Sequence, residues 1–75
     1  MRQADPGGRA VIEDAVMEYL LEFSAQYTLE ELAEHMSDEY GEDPEYVANV
    51  IAELIAEGSI SRCRREDRLV LVRAA

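Results

Sequence analysis

Five of the chain's seven basic residues, all of them arginine, fall between residues 60 and 73 in ISRCRREDRLVLVR, whereas residues 10–61 contain none. A guanidinium is planar and permanently charged, and it grips phosphate or carboxylate oxygens in pairs. Arg62, Arg64, Arg65 and Arg68 are therefore the side chains best equipped to hold an anion. They stand against an acidic body. Residues 10–61 carry 14 Asp and Glu and no Lys or Arg, and the formal net charge of −10 divides as +1 over residues 1–9, −14 over 10–61 and +3 over 62–75. Such a body repels nucleic acid and anionic membrane, while the tail attracts phosphate locally. The absence of Lys fits a GC-rich genome and equally a salt-loving host, in which the acidity would serve solvation.

Other chemistry is sparse. His35 is the sole histidine and Cys63 the sole cysteine, and no nucleophile stands at a recognisable spacing from a base, so the expectation is a non-enzymatic protein without cofactor or metal. His35 reads as a partly exposed polar residue on a helix, and Cys63 as a small strand residue. Tyr19, Tyr27, Tyr40 and Tyr46 read as amphipathic packing residues. Asp38, Glu39, Glu42 and Asp43 cluster around Gly41 but lack the alternating oxygen-ligand spacing of a calcium loop, so they read as a solvated loop that caps two helices. An unpaired cysteine suits a reducing compartment, and neither a membrane-length apolar run nor a secretory leader is visible. The expectation is one small, complete, cytoplasmic domain.

The elements that must position the arginines follow from periodicity. Pro6, Gly7 and Gly8 mark residues 1–9 as a flexible leader, with the domain proper over 10–75. Ile12, Val16, Tyr19, Leu20 and Phe23 recur at spacings of three and four and predict a helix near 10–25. Thr28 and Glu31 form a capping-box pair that opens a second helix near 29–37, with Leu29, Leu32, Ala33 and Met36 inward and Gly41 as terminator. Asp43-Pro44 opens a third over 44–57, carrying Val47, Val50, Ile51, Leu54 and Ile55, and Gly58 ends it. Beyond Gly58 the pattern alternates. A hairpin over about 59–73 turning at Glu66-Asp67 would set Arg65 opposite Arg68 and Cys63 opposite Val70. The predicted core is Ile12, Val16, Leu20, Leu32, Val47, Ile51, Leu54, Ile60, Leu69 and Leu71. The fold class is mainly α with a C-terminal β-hairpin.

That order, carried by TLEELAEHM, VANVIAELIAEGSI and RLVLV, resembles a winged helix-turn-helix. The likeness covers roughly residues 10–73 through a capped second helix, a third ending in Leu-x-x-x-Gly-x-Ile, and a wing. Within the family the chain is similar to the C-terminal winged helix of archaeal replicative helicases and, less closely, to an acidic winged-helix module of a bacterial RNA polymerase subunit. The spacing from Ala33 to Val47 is longer than in a tight helix-turn-helix, which an extra turn or a longer loop through SDEYGED would absorb.

The resemblance implies a regulator in which the third helix enters the major groove and the wing touches backbone. Outward positions of that helix are Glu45, Ala48, Asn49, Ala52, Glu53 and Ala56, of which Asn49 alone suits base reading while Glu45 and Glu53 oppose phosphate. Duplex DNA held by Arg62, Arg64, Arg65 and Arg68, with Asn49 secondary, is one expectation. A basic protein partner held by Glu30, Glu34, Glu45 and Glu53 is another, and mimicry of DNA charge a third. The arginines could instead act as counter-charges for their own acidic helices.

Overall fold

The computed structural model describes residues 6–74, with side chains from residue 8 onward. Three helices precede one antiparallel hairpin: α1 (Pro6–Glu22), α2 (Leu29–Tyr40), α3 (Pro44–Glu57), β1 (Ile60–Arg65) and β2 (Arg68–Arg73). This is the three-helix-plus-hairpin layout of a winged helix. Helix α1 begins earlier than the periodicity suggested, because Pro6 opens it and residues 6–9, assigned to the leader, are helical. Residues 1–5 of that leader lie outside the described residues. The helix also ends sooner, at Glu22, and the chain leaves it through Ala25 in the left-handed region at φ 63°.

The other termini obey their local chemistry. Thr28 Oγ1 accepts from the Glu31 N–H at 3.2 Å, and Glu31 Oε1 accepts from the Thr28 N–H at 3.1 Å, closing a reciprocal capping box. Helix α2 runs to Tyr40, one turn beyond the predicted end, and stops where Gly41 adopts φ 66°. That extra turn absorbs the long spacing to α3. Asp43 Oδ1 accepts from the Glu45 N–H at 3.0 Å with Pro44 in the first turn, and α3 ends at Gly58, whose φ of 90° favours glycine.

The core joins all three helices to the base of the hairpin. Ile12, Val16 and Leu20 of α1 meet Leu32, Ala33 and Met36 of α2, Val47, Val50, Ile51 and Leu54 of α3, and Ile60 and Leu71. Leu69, predicted in this core, is instead 44% exposed, and Val70 takes a buried place at 1%. The reason lies in the α1–α2 connection. The Ala25 N–H donates to Leu71 O and the Leu71 N–H to Tyr27 O, both at 2.9 Å, so this segment clips onto the outer edge of β2. Val70, on the face opposite Leu71, lines a recess with Ala25 and Gln26 from that segment. Consecutive β2 residues are thus both covered, while Leu69, paired with Arg64, stays exposed.

Candidate functional site

Hairpin register places the arginines. Ile60 pairs with Arg73, Arg62 with Leu71, Cys63 with Val70, Arg64 with Leu69 and Arg65 with Arg68, leaving Glu66-Asp67 as the turn. Arg62 and Arg64 therefore share the face that bears Ile60, and Arg65 and Arg68 stand together at the tip on the other. Only Ile60 of β1 is buried, and every residue from Ser61 to Leu69 is exposed. The distal hairpin is solvent-exposed, and one side of its tip, with Arg65, Glu66 and Arg68, borders a recess shared with Ala25 and Gln26 of the α1–α2 connection.

The four arginines divide in their pairing. Arg68 contacts the carboxylate of Glu31, and its Nη2 also lies 3.5 Å from Gln26 O, so it ties the wing to the start of α2 as an internal counter-charge. That contact eases the like-charge opposition of Arg65 and Arg68 across the ladder. Among the described residues Arg62, Arg64 and Arg65 make no ion pair. They are the exposed guanidinium groups of the hairpin that have no ionic partner among the described residues. Cys63 between them is exposed and unbridged.

Helix α3 presents Glu45, Asn49, Ala52, Glu53 and Ala56 to solvent as expected, but Ala48 is half-buried against the core, so it does not belong to the outward face. Glu53 is engaged by Arg9 of α1, which also pairs with Glu13 at 2.6 Å. The two carboxylates hold the Arg9 guanidinium above its ordinary pKa, chiefly through their hydrogen bonds, Glu13 first. Glu30, Glu34 and Glu45 are exposed and make no ion pair among the described residues. The proposed acidic partner surface thus retains three carboxylates, while Glu53 is neutralised internally.

An aromatic cluster that the periodicity does not disclose joins α1 to α2. The Tyr19 ring packs at a tilt against Phe23 at 4.7 Å, Tyr27 at 5.4 Å and His35 at 4.6 Å between centroids, and its hydroxyl donates to the Tyr27 oxygen at 3.1 Å. His35 is a half-buried member of this cluster, 3.9 Å from Glu39. The Tyr27 hydrogen bond, then burial, and then the negative neighbourhood push the Tyr19 phenol up to about 12. Tyr19 and Phe23 at i,i+4 were visible as a helical stripe, but nothing in the spacing of Tyr27 and His35 announced where they would fold.

Around Gly41 the acidic run closes its own turn: Ser37 Oγ donates to Glu42 O, the Glu42 N–H donates to Ser37 O at 3.1 Å, and Asp43 caps α3. No group of three or more His, Cys, Asp or Glu is placed to hold a metal ion among the described residues. None of the described helices is long and apolar enough to cross a membrane. Comparison with protein-family models, with curated proteins and with solved structures finds no match.

Proposed function

We propose that the chain is a small, non-enzymatic winged-helix accessory protein that associates with duplex DNA through its wing. The observation that carries this reading is the exposed hairpin bearing Arg62, Arg64 and Arg65 without an ionic partner among the described residues. Arginines serving only as counter-charges would lie against the acidic helices, as Arg68 does. Guanidinium groups on an exposed hairpin can follow phosphates with little regard to base identity. Helix α3 contributes little under this reading, since Asn49 is its single base-reading side chain and Glu45 opposes the backbone.

One observation favours a second reading, a protein adaptor in transcription or replication. Glu30, Glu34 and Glu45 are exposed carboxylates without an ionic partner among the described residues, suited to a basic protein. The two readings separate by substitution. Replacing Arg64 and Arg65 with Gln should weaken DNA binding alike on all sequences, and Glu45→Gln should strengthen it by removing a charge that faces phosphate. An adaptor would lose its protein complex on Glu45→Gln and keep it after the arginine changes.

A further inference from the structure

Between α1 and α2 lies a groove of about 260 Å³, lined by Ala15, Glu18, Tyr19, Glu22, His35, Met36, Glu39 and Tyr40. It belongs neither to the wing nor to the outward face of α3. Met36 is buried at its floor, the rings of Tyr19 and His35 pack against each other at a 33° tilt, and Tyr40 is 45% exposed. Glu18, Glu22 and Glu39 complete the lining, and none pairs with an arginine among the described residues. We infer that this groove is a docking site for a cationic side chain, Arg or Lys, from a basic segment of a partner protein.

Three features converge on a cation. Aromatic faces and carboxylates both attract one, the faces through their quadrupole and the carboxylates through charge. Asp14, Glu18 and Glu22 stand at i,i+4 intervals on α1, a like-charge spacing that destabilises a helix and gains from an arriving positive group. The groove also falls below the roughly 300–1,000 Å³ typical of small-molecule sites. An open groove of this kind admits a single side chain rather than an enclosed small molecule. The site is independent of DNA contact by the wing, so either can fail alone.

The test is an NMR titration of the full chain with a blocked pentapeptide of alternating glycine and arginine, at low salt and neutral pH. Shifts should concentrate on the rings of Tyr19, His35 and Tyr40. Glu18→Gln with Glu22→Gln should weaken binding about tenfold, two exposed charge contacts being lost. Glu42→Gln with Glu57→Gln makes the same change in net charge outside the groove and should leave affinity within about twofold. Equal weakening by the two double variants, or shifts spread over the whole acidic surface, would overturn the assignment in favour of non-specific attraction. Concentration-dependent self-association of the chain alone, abolished by the Glu18 and Glu22 changes, would overturn the partner assignment and make a second copy the occupant.

Discussion

Removing the Thr28 hydroxyl tests the capping logic on which the start of α2 rests. Thr28 Oγ1 accepts the Glu31 N–H at 3.2 Å, while Glu31 Oε1 takes both the Thr28 N–H and the guanidinium of Arg68. Thr28→Ala deletes the first bond and leaves the other two. The orphaned donor lies at an exposed helix end, so water replaces part of what is lost and the cost should be about 1 kcal/mol. A domain of this length is stable by about 4–11 kcal/mol, so that loss is measurable. It should lower Tm by about 4–8 °C. Urea unfolding followed by far-ultraviolet circular dichroism should show an earlier midpoint with an unchanged slope. Thr28→Ser keeps the acceptor and should fall within a few tenths (~0.3 kcal/mol) of the parent. Equal losses for Ala and Ser would refute the argument, because the methyl group, and not the hydroxyl, would then be what the site needs.

The exchange of Leu69 for Val70 in the buried set makes a second prediction. Leu71→Ala should cost about 2–5 kcal/mol, because Leu71 is fully buried, whereas Leu69→Ala should stay within about 0.5 kcal/mol in the same unfolding assay. A third concerns alkaline pH. The Tyr19 phenol is raised to about 12 in the folded chain, above the ordinary tyrosine value of about 10. Its contribution is therefore fully present below pH ~10 and is lost as pH climbs toward the folded value. Spectrophotometric titration should show one tyrosine ionising late, and Tyr19→Phe should remove both that late step and the associated loss of stability. Absence of the late step in the parent chain would contradict the hydrogen-bonded Tyr19.

Much of this architecture was legible because it is encoded locally. Thr28 with Glu31, Asp43 with Pro44, and Gly41 and Gly58 at the helix ends each act within one turn, and each appears where its chemistry demands. The two-residue turn at Glu66-Asp67 likewise predicted the pairing of Arg65 with Arg68 and of Cys63 with Val70. Most misplaced features depend on distant chain, the start of α1 being a local exception. The role of Pro6 was missed because two glycines after it read as a loop, although the rule that located Pro44 applied equally. Burial of Val70 required knowing that the segment around Ala25–Tyr27 would clip onto β2. The division among the arginines was hidden for the same reason. Arg68 differs from Arg64 and Arg65 in being brought to Glu31 by the fold, a pairing separated by 37 residues. Composition located the guanidinium groups, but which of them lack an ionic partner among the described residues emerges only from the folded chain.

The most direct measurement of the central claim is binding to random duplex DNA across a range of salt concentrations. If Arg62, Arg64 and Arg65 each neutralise one phosphate, the logarithm of affinity should fall against the logarithm of salt with a slope of about −3. Replacing Arg64 and Arg65 with Gln should flatten that slope to about −1, with circular dichroism showing the fold intact. Absence of binding at low salt by the folded parent chain, or a slope unchanged by losing both arginines, would contradict the wing as a DNA-contacting arm.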